Sequence, residues 1–276
     1  MLKTRIFTAV VLATLMILAI LRLPPAWFAL ITAAVLVVSA WEWSRLAGWQ
    51  TWPTQLTYAS VLGLSLLLIY QGANWPPLAW LVSLAALGWW LLAWSWVWRY
   101  QQGHVAVLPA TREVKSLLGL LLLVPAWLAL YLIHLRYGSD WLLFLLVLIW
   151  TADTGAFFAG RRWGKTKLAD KVSPGKTQEG VLGALLMSLL LAGSYAVWQG
   201  LSGLSSLLFV LLCLLTVLAS ILGDLLESLF KRQMGVKDSS QLLPGHGGIL
   251  DRIDSLTAAA PLFLLGLLAL HLEDKL

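Results

Sequence analysis

The residues best suited to chemistry lie between Asp224 and Asp254. Five of the chain's 13 acidic residues fall there, Asp224, Glu227, Asp238, Asp251 and Asp254, with Lys231, Arg232, Lys237 and Arg252 among them. If the preceding apolar helix continues to about Lys231, then Asp224, Glu227, Ser228 and Lys231 recur at i, i+3, i+4 and i+7 and share one face. Asp251 and Asp254 stand three apart, on one face of a helix that begins near Leu250. Pro244-Gly245-His246-Gly247-Gly248 separates the two sets; its glycines interrupt a helix and let the backbone approach a ligand closely. Carboxylates at helix ends suit Mg²⁺, which takes one or two of them together with substrate phosphates. The lysines and arginines suit the remaining phosphate charge. The competing reading is a loop of solvated charges at a membrane surface; the helical spacing and the glycine cluster favour the functional one.

A second polar set lies upstream. Asp153, in Trp150-Thr151-Ala152-Asp153-Thr154-Gly155-Ala156, sits within an apolar run, where a carboxylate is unfavourable unless paired or metal-bound. The loop 160–179 follows with six basic residues, Arg161, Arg162, Lys165, Lys167, Lys171 and Lys176. Gly160 to Thr166 is one residue short of a P-loop and lacks the preceding strand. Phosphate binding by Lys176 and by backbone N–H groups at the start of the next helix is the functional reading, with Ser173, Pro174 and Glu179 suiting a helix entry. Anchorage to anionic lipid is the alternative. In the first half the one oddity is Glu42. An intramembrane carboxylate is a functional candidate, but an interfacial Glu42 paired with Arg45 is the favoured reading. His104 and His134 are expected in loops and His271 near the C-terminus, none with a partner at metal-ligand spacing. Cys213 is the only cysteine, so no disulfide forms within the chain.

The elements that position these residues are set by composition. Of 276 residues 60% are hydrophobic and 12% charged, with a mean hydropathy of +0.83, against roughly 25% charged in a soluble domain. The chain is therefore expected to be an all-α polytopic membrane bundle. Nine spans are expected, at about 6–22, 26–46, 55–71, 78–98, 116–135, 140–159, 180–199, 203–224 and 253–271. The first follows Lys3 and Arg5 but lacks a small-residue cleavage site, so it reads as a retained helix. With a cytoplasmic N-terminus and alternating spans, all of the 19 Lys and Arg residues except Arg22, Arg136 and Lys275 fall on the cytoplasmic side, a strong positive-inside bias. Most of the 17 tryptophans lie near span ends, as in an aromatic belt. Residues 1–135 form an N-terminal set of helices; residues 136–276 form a catalytic region with cytoplasmic loops at 160–179 and 225–252.

The quoted residues resemble a known family. Ser228-x-Phe230-Lys231-Arg232, Lys237-Asp238-x-Ser240, Leu243-Pro244-x-His246-Gly247-Gly248-Ile249 and Asp251-Arg252-Ile253-Asp254 look like the signature of the phosphatidate cytidylyltransferases (CDP-diacylglycerol synthases). A second stretch is similar to the same family: Asp153-Thr154-Gly155-Ala156, Gly160-Arg161, Gly164-Lys165 and Ser173-Pro174-x-Lys176-Thr177-x-Glu179-Gly180. The resemblance is specific from about 150 to 255; one departure is Gly175, where a second basic residue is expected. It implies that CTP and phosphatidate give CDP-diacylglycerol and pyrophosphate, with Mg²⁺ as cofactor, in phospholipid biosynthesis. By resemblance, Asp224 and Asp251 are the first choices as metal ligands, with Asp254, Asp153 and Glu227 next. Lys231, Arg232, Lys237 and Arg252 would neutralise phosphates, and Lys176 and Thr177 would meet CTP or the lipid phosphate. His246 would donate to a phosphate, and Ser173, Ser228, Gly247 and Gly248 complete the substrate-binding set. The resemblance also implies phosphatidate from the cytoplasmic leaflet, surrounding membrane lipids, no nucleic-acid partner, and a homodimer as one possible assembly. A compact chain without a targeting extension points to a bacterial inner membrane. The alternatives are a cytidylyltransferase acting on another lipid phosphate, an inactive lipid-binding relative, and a polytopic transporter, against which no internal repeat is visible.

Overall fold

Long apolar segments surrounded by lipid must satisfy every backbone N–H and C=O internally, and a helix does so within the segment. The computed structural model, which describes residues 2–104 and 106–270, is built accordingly. Its helices are α1 (Leu2–Arg22), α2 (Pro25–Ala47), α3 (Trp52–Gly72), α4 (Pro76–Gln101), α5 (Arg112–Leu132), α6 (Ser139–Trp163), α7 (Gln178–Trp198), α8 (Gly203–Gln233) and α9 (Leu250–Ala269). Among the described residues eight helices are long and apolar enough to cross a membrane, and the apolar part of α1, Phe7–Arg22, is shorter. The nine expected spans coincide with these helices. Proline in the first turn opens α2, α3 and α4, where its missing N–H has no helical partner to lose. Gly48 closes α2 at φ +104°.

Two local expectations need correction. His134 lies in no loop: α5 continues through a π-helical turn, Ile133–Tyr137. There His134 is buried, stacks on Phe28 at 4.6 Å between ring centres, and donates from Nε2 to the Ile20 carbonyl at 2.9 Å. His271 lies outside the described residues. The loop after α6 is not merely irregular either. It holds a hairpin in which β1 (Lys167–Ala169) pairs antiparallel with β2 (Ser173–Thr177), Lys167 opposite Thr177 and Ala169 opposite Ser173. Strands this short, rich in lysine and glycine, show no legible alternation.

The closest helix pairs are α6 with α7 and α8 with α9, while α5 packs against both α2 and α9. One continuous buried apolar cluster extends from Ile20 to Leu268, so the residues before and after 135 share a core. The bonds of His134 and Ser139 to the Ile20 carbonyl and of Arg136 to the Ala73 carbonyl lie at one end of the bundle, while several other bonds between remote segments gather at the opposite end. Trp43 donates to the Lys115 carbonyl (2.9 Å), Tyr58 to the Ser116 carbonyl (2.8 Å), the Lys171 N–H to the Gln101 side chain (3.1 Å) and Arg232 to the Val172 carbonyl (3.3 Å). The C-terminal ends of α2, α4 and α8, the hairpin, and the starts of α3 and α5 therefore meet at that end.

Candidate active site

Helix α8 is 31 residues long, about 46 Å at 1.5 Å per residue, against a hydrocarbon core of about 30 Å. Its last turns must project beyond the apolar layer, and Asp224 sits where the projection begins. One Asp224 oxygen pairs with Lys176 Nζ at 2.7 Å, and the other accepts from Ser228 Oγ at 3.2 Å. Lys176 is carried by β2. Thr177 caps α7, its Oγ1 accepting from the Gly180 N–H at 3.1 Å, and the Glu179 carboxylate accepts from the Thr166 N–H. Asp153, from α6, lines the same cavity of about 220 Å³ as Lys176, Thr177 and Asp224. Gly155 and Gly183 let α6 and α7 approach: a Cβ on Gly155 would lie 2.7 Å from the Gly183 carbonyl. Ser173 pairs within the hairpin and does not line this cavity.

Farther along α8, Lys231 Nζ pairs with Asp251 at 2.7 Å and with Glu227 at 3.4 Å. The Asp251 carboxylate also accepts from the Ser239 N–H (3.0 Å), the Ser239 hydroxyl (3.0 Å) and the Gly248 N–H (2.7 Å). Both its oxygens are thus engaged in holding the segment 239–248 against α8. Glu227 is buried, with Lys231 as its charge partner. Asp254 lies beside it, accepting from the Ser255 N–H at 2.7 Å, and also interacts with Asp224.

The glycine-bearing segment folds on itself. The Arg252 guanidinium donates twice to the His246 carbonyl, at 2.6 and 3.2 Å, and Leu243 N–H donates to the Gly247 carbonyl at 2.9 Å. Gly247 has φ +84°, and a Cβ there would stand 2.6 Å from an Asp251 oxygen, so only glycine serves. Lys237, His246, Gly247 and Arg252 line a second cavity of about 600 Å³. The residues singled out in the sequence thus form two adjacent groups: Asp153, Lys176, Thr177, Asp224 and Ser228 around the smaller cavity, and Lys237, His246, Gly247 and Arg252 around the larger. Glu227, Lys231, Asp251, Asp254 and Gly248 join them. Arg232 stands apart, fastening the hairpin to α8.

Glu42 departs most from expectation. It does not pair with Arg45, whose guanidinium lies over the Trp41 ring at 5.6 Å. Glu42 is fully buried, accepts from the Ser240 hydroxyl and from the backbone N–H groups of Ile249 (3.0 Å) and Leu250 (2.6 Å), and shares the single Ser239 hydroxyl proton with Asp251. Its intramembrane position was the only signal for it in the sequence.

The donors present suit a hard divalent cation. All are carboxylate oxygens, and those of Glu227 and Asp254 lie side by side with Lys231. Among the described residues no three His, Cys, Asp or Glu side chains are placed to hold a metal ion unaided. Mg²⁺ does not need such a cage, since substrate phosphates and water complete its shell.

The chain matches the family described as Cytidylyltransferase family over residues 3–270. A phosphatidate cytidylyltransferase of Pseudomonas aeruginosa is 45% identical over 264 residues, covering 95% of this chain and 96% of the relative. One of Haemophilus influenzae is 39% identical over 280 residues, covering 95% and 97%. One of Bacillus subtilis is 44% identical over 147 residues, covering 51% and 53%. With the match running along almost the whole chain, this protein belongs to the cytidylyltransferase family.

Proposed function

We propose that this enzyme transfers a cytidylyl group from CTP to phosphatidate, giving CDP-diacylglycerol and pyrophosphate, with Mg²⁺ as cofactor. The observation that carries the reading is the junction of two cavities. An apolar groove of about 670 Å³ between α4, α8 and α9 is lined by Trp90, Trp94, Leu218 and Leu222 among others. It shares Leu168, Val181 and Ile221 with the small polar cavity of Lys176, Asp153 and Asp224. A lipid phosphate has that composition, apolar chains joined to an anionic head.

In this reading the phosphatidate oxygen attacks the α-phosphorus of CTP, a new P–O bond forms, and the bond to pyrophosphate breaks. No proton need be removed from an already ionised phosphate, so the protein's work is alignment and charge neutralisation. Lys176 and the start of α7 take one phosphate group; Lys237 and Arg252 take another; Lys231 balances the buried carboxylates. One or two of Asp224, Glu227 and Asp254, with Asp153 near, would hold Mg²⁺ together with substrate phosphates; when bound it would neutralise the triphosphate and the departing pyrophosphate. The contacts of Asp251 favour a role in holding Lys231 and the 239–248 segment. The positive-inside bias supports an inner-membrane protein with a cytoplasmic site.

The fate of the label tests this. With phosphatidate and Mg²⁺, label in the α-phosphate of CTP is expected in chloroform-soluble lipid and label in the γ-phosphate in pyrophosphate. Label in lipid only with a different lipid phosphate would keep the chemistry and replace the substrate. γ-label in the lipid would refute cytidylyl transfer.

A further inference from the structure

We propose that Glu42 is a positioning residue for the reaction, a carboxylate from the first half of the chain that holds the segment 239–250 in its working shape. The inference rests on the functional reading above. Glu42 is five residues from the end of α2. It is fully buried, where an uncompensated carboxylate is strongly unfavourable. Helix α9 supplies the compensation. Its first residues have no side-chain cap of their own, and Ile249 and Leu250 direct their N–H groups to Glu42. This is helix capping supplied from about two hundred residues away.

The same carboxylate takes the hydroxyl of Ser240 and shares that of Ser239 with Asp251, so it grips both ends of the segment that lines the larger cavity. Gly248 is fitted to this grip: a Cβ there would lie 2.6 and 2.7 Å from the two Glu42 oxygens and would overlap Ser239 Oγ. Gly248 and Ser239 in turn donate to Asp251, which pairs with Lys231. Neighbouring residues anchor Glu42 itself. Trp43 packs on Phe230 of α8 at 4.6 Å and donates to the Lys115 carbonyl of α5. The position of Asp251, Arg252 and His246 thus depends on a side chain that touches no substrate.

The test uses the purified full-length protein, with Glu42→Gln and Ser240→Ala beside the parent. Glu42→Gln keeps the shape but replaces one acceptor oxygen by a donor. Hydrogen exchange without substrate is read first, over a peptide spanning 238–250. It is expected to exchange at least about 10-fold faster in Glu42→Gln, with peptides from the middle of α5 and α8 unchanged. Steady-state assay follows. Apparent KM for CTP is expected to rise and kcat to fall, each by about 10-fold for a lost charged hydrogen bond. Ser240→Ala, which leaves the carboxylate in place, is expected to move all three readouts the same way by less. Unchanged exchange at 238–250 would overturn the proposal. So would a fall in kcat at the parent KM with protection lost throughout, the signature of a purely structural residue. A parent inactive towards phosphatidate would instead defeat the functional reading, and the exchange result would still decide whether Glu42 holds the segment.

Discussion

Lys176 and Asp224 come from segments 48 positions apart and form a 2.7 Å pair at the mouth of an apolar groove. Both are partly exposed, so the pair adds little to stability, and its place in the cavity is what gives it meaning. A lysine held by one carboxylate is ready to be drawn to a phosphate that brings more charge. Lys176→Ala is therefore expected to raise the apparent KM for CTP by about 10-fold, with a smaller change in kcat. An unchanged KM in steady-state assay would return the hairpin to anchoring on anionic lipid. At this scale the sequence was legible wherever partners are near in the chain. The spacing of Asp224, Ser228 and Lys231 announced a shared face, and Asp224 does accept from Ser228. Sequence offers Glu42 only the local partner Arg45. Its actual partners lie 197 to 208 residues away, and no periodicity connects them.

The elements bring these side chains together by close approach. Helices α8 and α9 cross where Gly223 faces the Asp254 carbonyl, and a Cβ on Gly223 would overlap that oxygen and stand 3.3 Å from the Ala258 Cβ. Glycine is what lets Asp254 reach Glu227. Gly223→Ala is expected to cost about 1–3 kcal/mol, as overpacking does. It should lower the thermal midpoint in detergent and reduce kcat by shifting Asp254. Parent values of both midpoint and turnover would contradict this account of the crossing. The helices themselves were plain from hydropathy, since apolar runs of span length admit few other structures in lipid. The hairpin at 167–177 was not, because its order comes from remote contacts: the Arg232 bond to Val172 and the Lys171 bond to Gln101.

Over the whole molecule, polarity is sorted to one end of an apolar bundle. Three of the Lys and Arg residues that sequence places on one side, Lys176, Lys237 and Arg252, line the two cavities. The groove between α4, α8 and α9 adjoins the smaller of them through Leu168, Val181 and Ile221. That arrangement was beyond sequence reading, since it depends on which helices are neighbours. The central claim is that the carboxylate cluster around Asp224 works with Mg²⁺ to pass a cytidylyl group from CTP to phosphatidate. The direct measurement is incorporation of α-labelled CTP into lipid by purified protein, with Mg²⁺ or with EDTA, for the parent and for Asp224→Asn. Product that requires Mg²⁺ and falls by about 100-fold or more in Asp224→Asn, with folding retained, is the predicted result. Equal product in EDTA, or parent turnover in Asp224→Asn, would contradict it.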